Sequence, residues 1–166
     1  SKQSKLLVVD NQNISLAQKC QELVIDYSHW DSIRNFNNLE YWSFEMTKFS
    51  NLLVLDLSNN MITDALLKQI ALALPSFANL EKLNLSGNKF SSCGGLETLL
   101  FLANSIRSLD LSNNINLTTL EPLYSTVLPQ LSNLEELNIS ANYVLGAKLK
   151  EPFSAVSAKD VEQAKI

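Results

Sequence analysis

At 166 residues, 46% of them apolar and 18% charged, the chain has the size and composition of one folded domain with a core of its own. The net charge of −4 is concentrated in residues 51–145, with four Lys/Arg against eight Asp/Glu, whereas residues 1–50 carry five against six and residues 146–166 four against three. A protein built to neutralise phosphates has the opposite bias, which disfavours nucleic acid as the main ligand, and apolar runs such as Ile70 to Leu74 are far too short to span a bilayer.

The opening SKQSKLLVVD has neither an initiator Met nor a long apolar run, so it reads as a processed or excised end and not as a signal peptide. Leu6 to Val9 is expected to form a strand. From Cys20, the string CQELVI places Cys20, Leu23 and Ile25 at the first, fourth and sixth sites of an L-x-x-L-x-L pattern that returns further along, with Ser28 where an Asn follows in the later copies. Seven of the thirteen aromatic residues then crowd into residues 27–49: Tyr27, Trp30, Phe36, Tyr41, Trp42, Phe44 and Phe49. They are expected either to fill an irregular terminal unit with large rings or to offer an aromatic hot spot to a partner.

Four strings follow that fit L-x-x-L-x-L-x-x-N, with Ile allowed for Leu: LLVLDLSNN from Leu52, LEKLNLSGN from Leu80, IRSLDLSNN from Ile106 and LEELNISAN from Leu134. Their starts are 28, 26 and 28 residues apart, and the final Asn is Asn60, Asn88, Asn114 or Asn142. The L-x-L pair alternates with period two, which predicts a short strand with its leucines inward. One unit has a single apolar face and cannot bury it alone, so the copies are expected to stack.

Each linking segment is long enough to return as a helix. In ITDALLKQIALALPSF, Thr63 or Asp64 can cap, and Leu66, Leu67, Ile70 and Leu74 form a stripe before Pro75. In SSCGGLETLLFLANS the stripe is Leu96, Leu99, Leu100 and Ala103, and in LTTLEPLYSTVLPQL Thr119 can cap a helix with Pro122 in its first turn. The last stretch, KLKEPFSAVSAKDVEQAKI, lacks leucines apart from Leu149, and Ser157 with Asp160 could open a short helix. The organisation is therefore an aromatic-rich N-terminal cap with one or two degenerate repeats over 1–49, four repeats over 50–145 and a C-terminal cap or tail over 146–166, within a single domain.

The four strings and their near-constant period resemble the leucine-rich-repeat family over roughly residues 20–145. The resemblance implies an α/β fold: a right-handed solenoid with a curved parallel β-sheet on the concave side and helices on the convex side. It also implies that each Asn turns its amide inward onto backbone groups of the turn after the strand, since a buried amide must be paired. Periods near 28 resemble the intracellular, ribonuclease-inhibitor-like subclass more than the shorter extracellular repeats.

Cys20 and Cys93 form no CxxC pair, and secreted members of this class cap their ends with more cysteines than these, so a reducing intracellular compartment is expected. Sequons at Asn13, Asn84, Asn116 and Asn138 point the other way, but those at Asn84 and Asn138 arise from the repeat itself. His29 is the sole histidine, so no Ser–His–Asp set or two-histidine metal site can be drawn. Cys20 takes a repeat leucine site, and Cys93 precedes Gly94-Gly95 with no recognisable base. No nucleotide-binding glycine motif occurs. No enzyme, cofactor, metal or small-molecule substrate is expected.

Binding is expected on the outward side of the strands. Its central column is Val24, Asp56, Asn84, Asp110 and Asn138, and the row two residues earlier is Glu22, Val54, Lys82, Ser108 and Glu136. After the column come Asp26, Ser58, Ser86, Ser112 and Ser140, then Tyr27, Asn59, Gly87, Asn113 and Ala141. Asp56 and Asp110 should stand about 10 Å apart as exposed strand residues that contribute little to stability. The expected occupant is a protein partner with a polar or basic segment, held by Asp56, Asn84, Asp110, Asn138 and Glu136 or by the aromatic unit with Tyr27, Trp30 and Trp42. The alternative is a component of an RNA-processing or mRNA-export complex, because LLVLDLSNN followed by NLEKLNLSGN is similar also to the repeat domains of mRNA-export receptors.

Overall fold

A computed structural model describes residues 2–3, 14–25, 46–71, 77–91, 96–117, 123–142 and 154–155. Among these residues one sheet carries seven strands in chain order: β1 (Lys2–Gln3), β2 (Glu22–Val24), β3 (Val54–Asp56), β4 (Lys82–Asn84), β5 (Ser108–Asp110), β6 (Glu136–Asn138) and β7 (Ser154–Ala155). Each of β2 to β6 is the x-L-x centre of its string. The register is the one that the repeat demands. Leu23, Leu55, Leu83, Leu109 and Leu137 are successive partners, as are Val24, Asp56, Asn84, Asp110 and Asn138.

The pairs from β1 to β6 are parallel, while β7 adds antiparallel to β6, pairing Ala155 with Leu137 and Ser154 with Asn138. This short strand covers an edge that would otherwise expose unpaired N–H and C=O groups. At the other edge the outer strand is Lys2–Gln3. The strand expected over Leu6 to Val9 lies outside the described residues, as does the helix expected from Ser157.

The strand leucines and their neighbours form one continuous core from Ala17 to Ile139, in which Leu52, Leu55, Leu57, Leu80, Leu85 and Leu111 are fully buried. Three large rings join them: Phe49, Phe77 and Phe90. Phe49 and Phe77 stand three residues before the first leucine of a string, where the carbonyl of each accepts the N–H of Leu52 or Leu80, and Leu131 repeats the arrangement before Leu134. Phe49 thus fills the core. Tyr27, Trp30, Phe36, Tyr41, Trp42 and Phe44 lie outside the described residues.

The return segments differ from one another. An α-helix, α1 (Ile14–Lys19), precedes β2, and α2 (Asp64–Ile70) follows β3. Thr63 caps α2, its hydroxyl accepting the N–H of Leu66, and Leu66, Leu67 and Ile70 are buried as the stripe predicts. The next return is a helix as expected, of the 3₁₀ kind over Leu96–Leu102. Leu96, Leu99 and Leu102 repeat every three residues, and at three residues per turn that period lines all three up on one side. Leu102 is buried accordingly, and Leu100 and Ala103 only pack partly against the core. The third return is also not an α-helix over its described part: Leu123–Val127 is a π-helical turn and Leu128–Gln130 a 3₁₀ turn with Pro129 in its first turn. The expected features at Leu74, Pro75, Thr119 and Pro122 lie outside the described residues.

Candidate interaction face

The turn after each strand is built around its Asn. Asn60, Asn88 and Asn114 are buried polar residues, with Asn142 half-buried at the end of the row. Nδ2 of Asn88 donates to the carbonyls of Leu85 and Ser86 in its own turn and of Leu57 in the preceding repeat, at 2.9, 3.2 and 3.0 Å. Asn60, Asn114 and Asn142 reach back in the same way to Ile25, Leu85 and Leu111. The carbonyl oxygens run in the same direction. Oδ1 of Asn88 accepts from Asn60, Oδ1 of Asn114 from Asn88 and Oδ1 of Asn142 from Asn114, each time from a backbone N–H. The amides therefore tie repeat to repeat as well as closing their own turns.

Outward from this ladder stands the central column, and here the structure corrects the expectation of freely exposed side chains. Asp56, Asn84, Asp110 and Asn138 are each half-buried. Oδ1 of Asp56 accepts the N–H of Ser58 at 2.9 Å. Oδ1 of Asn84, Asp110 and Asn138 accepts both the N–H and the hydroxyl of Ser86, Ser112 and Ser140. Asp and Asn favour this contact because a short side-chain acceptor reaches the backbone two residues on and mimics a turn. The column is thus part of the turn's framework and a surface at once. The pattern D/N-L-S or N-I-S was present in all four strings as its signal.

In the row ahead, Val54 and Ser108 are half-buried, while Lys82 and Glu136 are exposed. The row after the serines has an unusual backbone: Asn59, Gly87, Asn113 and Ala141 all have φ between 54° and 67°. Here the left-handed conformation lets the N–H of Asn59, Gly87 and Asn113 reach the carbonyls of Ser86, Ser112 and Ser140 in the next repeat. Glycine is required most clearly at Gly87, where an added Cβ would stand 2.1 Å from Oδ1 of Asn59.

Two segments match the Leucine Rich Repeat family model, residues 51–72 and 79–101. These segments are similar to leucine-rich repeats. The match supports the family resemblance, and leucine-rich repeats are generally protein-interaction modules. No curated protein matches the chain.

The repeats thus bring Asp56, Asn84, Asp110 and Asn138 into one line, with Glu136 one row ahead on β6. Tyr27, Trp30 and Trp42, the remaining candidate binding residues, lie outside the described residues. A feature not anticipated from sequence lies before the strands: a groove of about 310 Å³ lined by Asn79, Glu81, Asn104, Arg107 and Asn133 among others. Asn133 donates to the carbonyl of Asn104 at 2.8 Å, and Arg107 pairs with Glu135 in the open, where an ion pair is worth little.

Cys20 is buried at its leucine site, its thiol donates to the carbonyl of Glu22 at 3.2 Å, and burial pushes it up from the ordinary thiol range. Such a thiol packs as a small apolar group. Cys93 and His29 lie outside the described residues. Among the described residues no group of three or more His, Cys, Asp and Glu is placed to hold a metal ion, and no helix is long and apolar enough to cross a membrane.

Proposed function

We propose that this chain is a non-catalytic protein-interaction module, an adaptor or scaffold that holds a protein partner on the outward side of its strands. The observation that supports the reading is the register-aligned column Asp56, Asn84, Asp110 and Asn138, which repeats a polar side chain on every strand from β3 to β6. In this reading residues 50–145 wind as a right-handed solenoid of the intracellular, ribonuclease-inhibitor-like kind. The strand face is its concave side, and residues 1–49 and 146–166 are its caps. Partners are polar or basic protein segments, and Tyr27, Trp30 and Trp42 form a second docking unit at the N-terminal end.

The test is capture of a partner by the wild-type chain and by a Ser108→Trp/Glu136→Arg variant. Both changes fall on neighbouring outward positions of β5 and β6, so they obstruct the face and leave the core leucines alone. A partner bound by the wild type and lost by the folded variant supports the face. Undiminished capture by the variant contradicts it and moves the site to the aromatic unit, where Trp30→Ala and Trp42→Ala would then abolish binding.

A further inference from the structure

The turn bonds of the central column decide which atoms of its side chains remain for a partner. Oδ1 is committed to a serine at Asp56, Asn84, Asp110 and Asn138 alike. What is left is a carboxylate oxygen, Oδ2, at Asp56 and Asp110, and an amide nitrogen, Nδ2, at Asn84 and Asn138. Among the described residues no hydrogen bond reaches these four atoms. Because the four residues are successive register partners, the column runs acceptor, donor, acceptor, donor across β3, β4, β5 and β6. Parallel strands stand about 4.8 Å apart, so like members of this array recur about every 9.6 Å.

Granting that the strand face is the docking surface, we propose that its occupant is an extended protein segment in the polyproline II conformation with Lys or Arg at every third position, lying across the strands. Such a helix rises about 3.1 Å per residue with three residues per turn, so residues i and i+3 share a side about 9.3 Å apart. That step matches the distance between the two carboxylates. A β-strand offers same-side steps of about 6.8 Å or 13.6 Å, which miss it. An α-helix reaches about 10.5 Å between i and i+7, but its carbonyls are bonded within the helix. Nδ2 of Asn84 and Asn138 would then face no acceptor. A polyproline II backbone makes no internal hydrogen bonds, so its carbonyls are available to those amides. The serines beside the column are small, so the backbone can approach. Glu136, exposed one row ahead on β6, adds negative charge at that end, and the basic side chains of the segment complement Asp56 and Asp110.

The probe is a fluorescein-labelled peptide of repeated Lys-Pro-Pro, titrated into the full chain and read by anisotropy. Two peptides of equal net charge accompany it, one extended with Lys at every second position and one helical with Lys at every seventh. The decisive variant is Asp56→Asn/Asp110→Asn. It installs the residue that the column already carries at Asn84 and Asn138, so it removes charge and keeps the acceptor for the serine turn.

The Lys-Pro-Pro peptide is expected to bind at least about ten-fold tighter than either companion, and the double variant to lose about ten-fold with its unfolding midpoint unchanged. Equal binding by all three peptides, lowered alike by the double variant, would overturn the polyproline II spacing and leave the face standing as a docking surface. No binding by the Lys-Pro-Pro peptide, or binding that the double variant does not weaken, would overturn the proposal. Capture of the natural partner by the Ser108→Trp/Glu136→Arg variant would still judge the face on its own.

Discussion

The backbone N–H of Asn60 donates to Oδ1 of Asn88 at 3.0 Å across 28 residues of chain. The same oxygen accepts the N–H of Ile62, also at 3.0 Å. One buried amide therefore organises the turn of the repeat before it. Among the described residues, in contrast, no group donates to Oδ1 of Asn60, although its Nδ2 donates to Ile25 and Ser58.

This difference predicts an order of stabilities. Asn88→Ala strands two N–H groups and the carbonyls that Nδ2 served, and should cost about 3 kcal/mol. Among the described residues Asn60→Ala strands carbonyls only and removes a buried acceptor to which none of them donates, so it should cost about 1–2 kcal/mol. Urea denaturation of both variants measures the order. An Asn60 variant as destabilised as the Asn88 variant would show that the ladder does not act through the carboxamide oxygen.

The central column should separate shape from charge. Asp110→Asn keeps the acceptor for Ser112 and should change stability by no more than about 0.5 kcal/mol. Asp110→Ala or Asp110→Lys removes that acceptor and should cost about 1–2 kcal/mol. Denaturation midpoints decide between them. Equal midpoints for the Asn and Ala variants would mean that the turn does not need the side chain.

Gly87 and Asn59 are expected to be coupled. Gly87→Ala meets Oδ1 of Asn59 and occupies a left-handed position, for a total of about 2 kcal/mol. In an Asn59→Gly background the collision disappears, and the same change should cost only about 1 kcal/mol. A double-mutant cycle reads the coupling directly, and perfect additivity would contradict the contact.

Cys20 gives the expected dependence on pH. Burial raises its folded-state value, so the folded chain holds the thiol proton more tightly than the unfolded chain does. The associated stability is fully present below the ordinary thiol value of about 8.5 and is lost as pH rises through the raised one. Wild-type stability should therefore fall on the alkaline side more steeply than that of Cys20→Ala. Tyr124, also raised by burial, leaves a further decline at higher pH in both. Parallel profiles for the two proteins would argue that the thiol is not buried.

Much of the fold can be read from the strings because their leucines obey both constraints at once, the strand period of two and the repeat near 28. Leu55, Leu83, Leu109 and Leu137 are buried as that pattern requires. Phe77, Phe90 and Leu131 were not legible as core, since they stand outside the strings and the residue type changes there, although Phe77 and Leu131 share with Phe49 the offset of three residues before a string. The 3₁₀ return at Leu96–Leu102 was concealed for a different reason: Leu99 and Leu100 fit the α period as well as Leu96, Leu99 and Leu102 fit the period of three. On the face, position was legible and role was only half so. Asp110 points outward as the alternation predicts, but its bonds to Ser112 depend on the turn geometry that only the folded chain displays.

The most direct measurement of the interaction face is a titration of the ¹⁵N-labelled chain with the captured partner, following the side-chain amide resonances of Asn84 and Asn138. Their Nδ2 groups are the outward donors of the column, so both should shift, together with the backbone amides of the strands from β3 to β6. Unchanged Asn84 and Asn138 resonances, with shifts confined to the return segments such as Leu96–Leu102, would contradict a partner on the strand face.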